Sequence, residues 1–157
     1  MLPLPFADGA FSIVTSRLAF HHFPDPVAVL AEMRRVCAPG GRVLVADLIA
    51  SDDPTKAAAM NAMERLRDPS HARALSAAEL EGCFAAIGLR PLRRGSYRLE
   101  NEVEDWLARS FPAPGTADEV RERIAASIAD DGLGLAPRRE SGRVVFSYLV
   151  SILVAER

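Results

Sequence analysis

The apolar positions of this chain change rhythm several times, and each change marks an element. Phe11-Ser-Ile-Val-Thr-Ser16 is a short β-branched run, which predicts a strand. Asp8-Gly9 just before it is a turn signal. Pro24-Asp25-Pro26 then predicts a helix start, with Asp25 as cap and Pro26 at a position that loses no hydrogen bond. Val27, Leu30, Met33 and Cys37 recur every three or four residues and form one apolar face, and Pro39-Gly40-Gly41 is the expected stop. Val43-Leu-Val-Ala-Asp47 lies in an apolar run, 42–48, that does not alternate, which suits a parallel strand covered on both faces. Strand, helix and strand are spaced as in a βαβ crossover.

From Asp52 the rhythm is helical again. Asp53-Pro54 opens a segment with Ala59, Met60, Met63 and Leu66 on one side, and 67–71 breaks it. Ser76-Ala-Ala-Glu79 has the spacing of a capping box. Leu80, Cys83, Phe84 and Ile87 follow at helical spacing, and Gly88 supplies a left-handed stop. An arginine-rich strand is expected near 90–99, on a sheet edge where Arg90, Arg93, Arg94 and Arg98 discourage aggregation. A short helix over 102–111 buries Val103, Trp106 and Leu107. Thr116-Ala-Asp-Glu119 is read as a second capping box, ahead of Val120, Ile124 and Ile128. Val144 to Val154, apolar on both faces, reads as a central or covered strand within 143–155. The whole is one α/β unit, with strands near 11–17, 42–48, 90–99 and 143–155.

Composition narrows the function. The 157 residues match one domain by length, and 49% hydrophobic with 25% charged residues is a globular balance. The net charge of −2 argues against nucleic acid as the main partner. Cys37 and Cys83 are too few and too far apart for a disulfide scaffold or zinc site, so a reducing, cytoplasmic setting is expected. The first residues lack the pattern of a signal peptide, and 144–155 is too short to span a bilayer as a helix, which takes about 20 residues.

The segment Leu4-Pro5-Phe6-Ala7-Asp8-Gly9-Ala10-Phe11-Ser12-Ile13-Val14 resembles the LPF-x-DG-x-FD-x-V stretch of class I S-adenosylmethionine-dependent methyltransferases. The resemblance is to the small-molecule type that includes the ubiquinone and menaquinone C-methyltransferases. Ser12 departs from the family's usual Asp. Arg17-Leu-Ala-Phe-His-His-Phe-Pro-Asp25 is similar to the stretch leaving the family's fourth strand. Glu32-Met-Arg-Arg-Val36 with Pro39-Gly40-Gly41-Arg42 resembles its E-x-x-RVL-x-PGGR element. Arg67-Asp-Pro-Ser-His71, Leu75-Ser76-x-x-Glu79 and Ala86-x-Gly88-Leu89 extend the match to about residue 90. Beyond it only the order of elements agrees.

The resemblance implies a Rossmann-like methyltransferase fold. It implies the C-terminal half of the sheet with covering lid helices, a single partial domain over 1–157 with lid or substrate helices at 50–75 and 100–132. The implied reaction is methyl transfer from S-adenosylmethionine to a small-molecule acceptor. In the family, a Gly-rich turn and an acidic residue holding the ribose lie upstream of the Leu4-Pro5-Phe6 segment. No Gly-x-Gly-x-x-Gly occurs in the chain. The principal cofactor site is therefore expected to be missing.

Candidate site residues follow from strand ends and polar breaks. Ser16 and Arg17 end the first strand, and open α/β sheets bind ligands beyond the carboxyl ends of their strands. By resemblance they form the cofactor edge; the alternative is a satisfied serine and a solvated arginine. His21 and His22 follow, and on an extended backbone adjacent side chains point apart. By family position His22 either packs near the substrate, as a proton acceptor, or braces the loop. Arg67, Asp68 and His71 sit in a polar break in the region that covers the family's active site. Asp68 and His71 either orient a base or carry helix-end chemistry, with Arg67 paired to Glu64 or Asp68. Asp47 either touches substrate or caps a turn. Met60, Met63, Trp106 and Phe111 are core or lid residues, or line a pocket for an aromatic or isoprenoid acceptor. Methyl transfer needs little acid–base help, since alignment carries much of the rate.

A second reading is a non-catalytic module. Phe11–Ser16 presents an apolar edge, which a homodimer or a complementing chain would cover. A start misplaced within a longer protein is the third.

Overall fold

In the computed structural model, residues 3–157 are described. Strand β1 (Phe11–Arg17) leads through a 3-10 turn, Phe20–His22, into helix α1 (Pro26–Val36). Asp25 caps this helix as expected, its Oδ1 accepting from Ala28 N at 2.9 Å. The helix stops at Val36. Cys37, read as the last residue of its apolar face, instead opens β2 (Cys37–Ile49). It keeps its place in the core because the strand departs toward the same apolar cluster.

Helices α2 (Pro54–Arg67) and α3 (Ala77–Ala86) follow. The capping box at Ser76 and Glu79 forms in both directions, and Gly88 takes the left-handed conformation, φ +75°. Strand β3 (Pro91–Glu102) gives way to α4 (Val103–Ala108) and α5 (Ala117–Ala126), then a hairpin of β4 (Arg138–Glu140) and β5 (Arg143–Glu156). The short β4 has no counterpart in the sequence reading. Thr116 makes no side-chain cap on α5. Its one hydroxyl proton is shared between Leu66 O and Ala113 O, each at 2.9 Å, so a tertiary and a local carbonyl displace the expected capping box.

The sheet order is β1-β2-β5-β3, with β4 on β5. β1 and β2 are parallel, and β5 runs antiparallel to both β2 and β3. This is the Rossmann-like α/β arrangement the resemblance implies. β5 is central and β3 an edge, as read from their patterns. One core packs Met60, Met63, Trp106, Ile124, Phe146 and Tyr148 between α2, α4, α5 and the sheet. The other packs Leu30, Met33, Val43, Phe84 and Leu153 against α1 and α3. Cys37 and Cys83 are buried free thiols, pushed up in pKa by that burial. Phe111, expected in core, lid or pocket, is 90% exposed. No described helix is long and apolar enough to cross a membrane.

Candidate active site

The carboxyl ends of β1 and β2 and the facing parts of β3 and β5 come together at one edge of the sheet. A cavity of about 300 Å³ opens there. Leu18 follows β1, and Leu48 ends the buried part of β2. Leu99, Trp106 and Tyr148 supply the opposite wall. His21, His22, Arg67, Asp68 and the Asn101–Arg109–Ser110 group give it polar atoms.

His21 is the most constrained of these. The 3-10 turn folds the backbone back, so the extended-chain expectation for the two histidines fails. Their rings lie 4.2 Å apart by centroid. His21 is buried, and its Nδ1 lies 2.6 Å from Asp47 Oδ1. Asp47 is itself buried. It accepts from the backbone amides of Phe20 and His21 through Oδ2, and from Leu48 N at 2.7 Å through Oδ1. Three amide donors stabilise the ionised carboxylate, which has no proton to give. Nδ1 of His21 therefore carries the hydrogen, and Nε2 is left with a lone pair. Asp47 caps the preceding 3-10 turn rather than a following one. The signal in the sequence was a single charged residue closing a buried apolar strand.

The segment 68–75 buttresses His21 from behind. Ala72 N and Arg73 N both donate to His21 O at 3.0 Å. His71 is 3% exposed, with Nε2 2.8 Å from Asn61 Oδ1 and its ring centroid 5.5 Å from that of His21. Asn61 Oδ1 also accepts from Ala74 N at 2.7 Å, so the amide oxygen faces the imidazole and Nε2 is the donor. Nδ1 is then a buried acceptor without a partner. Burial first, then the nearby positive groups, pushes His71 down to about 4.

The residues singled out from sequence fall in three places. His22 and Asp68 meet at the cavity through Ser70. His22 Nδ1 is 3.1 Å from Ser70 O, and the Ser70 hydroxyl donates to Asp68 at 2.6 Å. Burial opposes ionisation of Asp68, but the Ser70 hydrogen bonds and Arg67 hold it below the usual carboxylate range. His71 lies behind the cavity, its ring bonded to Asn61, while only its backbone N reaches Asp68, donating to the carbonyl at 3.0 Å. The carboxylate–imidazole pair expected there is formed by Asp47 and His21 instead. Ser16 and Arg17 pair with Val45 and Ala46 at the end of β1, outside the lining of this cavity.

Arg67 meets both partners read for it, Glu64 at 2.9 Å and Asp68 at 3.7 Å, but the contact of Glu64 with Tyr148 has no counterpart in that reading. Glu64 is completely buried and takes a hydrogen bond from the Tyr148 hydroxyl. Its other oxygen binds Arg67 Nε at 2.9 Å. The Arg67 guanidinium lies 4.9 Å from the Trp106 ring centroid and donates to Ser110 Oγ at 3.1 Å. Burial, then the charge of Glu64, pushes Tyr148 well above its ordinary pKa, so it stays a neutral donor. An acid four residues after Met60, on the apolar face of α2, was the available clue.

A family model described as a methyltransferase domain matches residues 1–45. The uncharacterized methyltransferase YcgJ of Bacillus subtilis is 38% identical over 140 residues, 82% of this chain and 55% of its own length. The crystal structure of YcgJ superposes with a TM-score of 0.83, covering 99% of this chain and 68% of that one, at 28% identity. The chain belongs to the class I S-adenosylmethionine-dependent methyltransferase family. It spans just over half the length of the curated relatives it matches, YcgJ among them. Geranyl diphosphate C-methyltransferase from Streptomyces coelicolor, solved with Mg2+, geranyl diphosphate and S-adenosyl-L-homocysteine, shares the fold: TM-score 0.57, 16% identity, 99% of this chain and 49% of that one. In this chain the cavity beside His21 combines an oriented imidazole with aromatic side chains in its lining.

Proposed function

We propose that the chain takes part in methyl transfer from S-adenosylmethionine to a small acceptor seated in the cavity beside His21. The observation that carries this reading is the Asp47–His21 pair, with Nδ1 held at 2.6 Å and Nε2 left to a lining residue of the cavity. Asp47 orients the ring, and His21 receives a proton at Nε2 as the acceptor loses it. His22 and Asp68 order the cavity rim through Ser70. His71 supports His21 from behind. Leu48, Leu99, Trp106 and Tyr148 give the cavity its apolar lining.

The residues present fit one wall of a cofactor site. β1 pairs with β2 alone among the described strands, and its end at Ser16 and Arg17 is half-buried to exposed. Those two residues would hold the cofactor's edge. Bound S-adenosylmethionine supplies a methyl group on a sulfonium. The solved methyltransferase that holds S-adenosyl-L-homocysteine supports this choice of cofactor.

The test is calorimetric titration with S-adenosylmethionine, followed by label transfer from its methyl group to a panel of small hydroxylated acceptors. Saturable binding and transfer that falls about 100-fold in His21→Gln, within the range set by general base catalysis, is the expected result. Folded protein that neither binds nor transfers overturns it.

A second reading is supported by the open edge of β1, where Ile13 is 62% exposed and Phe11 38%. Pairing with a second copy through that edge would cover both. Light scattering tests it: a stable dimer that Ile13→Lys dissolves supports the pairing, and a monomer excludes it.

A further inference from the structure

The cavity beside His21 is chemically lopsided. Its β1–β2 end carries the imidazole. Its far end, built from the close of β3 and of α4, carries Asn101, Arg109 and Ser110.

The two arginines there are not equivalent. Arg67 is bound by Glu64 at 2.9 Å and lies 3.7 Å from Asp68, so its charge is met within the protein. Arg109 Nε donates to the Asp105 carbonyl at 3.0 Å, and its terminal nitrogen reaches Asn101 Oδ1 at 3.5 Å. It makes no ion pair within 4.0 Å among the described residues. Its protein partners are neutral, and its exposed guanidinium faces solvent rather than a carboxylate. A guanidinium in that position binds a carboxylate through charge-assisted, geometrically matched hydrogen bonds.

The volume decides the rest. About 300 Å³ is at the lower end of small-molecule sites, roughly 300–1,000 Å³. That is room for one ring within the lining. Trp106 and Tyr148, both largely buried, border that space with the small part of each ring that reaches it.

We propose that the acceptor is a hydroxylated aromatic carboxylate, its carboxylate held by Arg109 and its hydroxyl turned toward His21. The assignment rests on the methyl-transfer reading for the role of the hydroxyl. The selection for an anion rests on Arg109 alone and is read by binding.

The probes are 4-hydroxybenzoate and the uncharged 4-hydroxybenzamide, titrated at neutral pH into the 15N-labelled full chain and followed by amide shifts. The carboxylate is expected to bind at least ten times more tightly than the amide. Arg109→Gln should cut that preference to less than twofold while leaving the thermal unfolding midpoint unchanged, since the side chain is exposed. Equal affinity for the two probes, an undiminished preference in Arg109→Gln, or binding of neither overturns the proposal. Absent methyl transfer with the preference intact would sink the catalytic reading and leave the anion site standing.

Discussion

Asp47 and His21 lie 26 residues apart in sequence, and their side chains meet at 2.6 Å in a buried contact. Asp47 serves two purposes at once. It closes three backbone amides of the 3-10 turn and strand end, and it sets which nitrogen of His21 carries the hydrogen. Removing the carboxylate strands those amides and frees the ring. Asp47→Ala is therefore expected to lose about 1–3 kcal/mol of stability, the range for leaving buried donors unsatisfied. Urea denaturation measures it. Long-range 1H–15N spectra of the three histidines should show the Nδ1–H tautomer for His21 in the parent chain. A loss under about 1 kcal/mol, or the opposite tautomer, contradicts the assignment.

His71 predicts a pH dependence of stability. Its folded pKa of about 4 lies below its ordinary value of 6.5. The unfolded state therefore binds the proton more readily. The contribution of neutral His71 is complete above pH 6.5 and is lost as pH falls toward 4, by about 3 kcal/mol in all. His71→Gln has no such proton to bind. The difference in unfolding free energy between parent and variant should drift steadily between pH 6.5 and 4 and stay flat above 7. A difference that is constant across the whole window would contradict it.

Glu64, Arg67 and Tyr148 form one charge-bearing network within an apolar core. Tyr148→Phe leaves a buried carboxylate oxygen short of a donor and should lose about 1–3 kcal/mol. Glu64→Ala strands Arg67 and the tyrosine hydroxyl together and should lose about 3–5 kcal/mol. The double variant should fall short of the sum by 1 kcal/mol or more, in the range of about 0.5–3 kcal/mol for residues sharing a network. Additive losses in a double-mutant cycle would show that the two groups act separately.

The parts of this molecule that could be read from sequence are those set by local rules. Asp25, the Ser76–Glu79 box and Gly88 act within one turn of chain, and each acts as read. The unbroken apolar run of β2 reports its two covered faces without reference to any partner. Thr116 failed because its hydroxyl found Leu66, 50 residues away, and no local rule sees that. That His21 rather than His22 meets a carboxylate has a similar cause. An extended backbone separates His21 from His22, but the turn between β1 and α1 is 3-10, and the partner that fixes it lies at the end of β2. Tyr148 meets Glu64 across 84 residues, so only the misplaced acid on α2 hinted at the contact.

Two glycines should respond in opposite ways to the same added methyl. Gly41 sits in β2 where the register with β1 shifts, between Phe11 and Ile13. A Cβ there would lie 2.7 Å from Cys37 Sγ and 2.8 Å from both Ala38 O and Ser12 O. Two of those three atoms are backbone and cannot swing aside, so the β1–β2 junction itself must move. Gly41→Ala is expected to lose about 1–3 kcal/mol, as overpacking does. Gly82 lies exposed inside α3 with nothing within 4 Å of its added Cβ. Gly82→Ala removes conformational freedom from the unfolded chain without a clash and should add about 0.5–1 kcal/mol. Thermal unfolding of the two variants beside the parent should bracket it on either side. A stabilised Gly41→Ala would mean that the β1–β2 junction packs more loosely than described, and with it the strand end that carries Ser16 and Arg17.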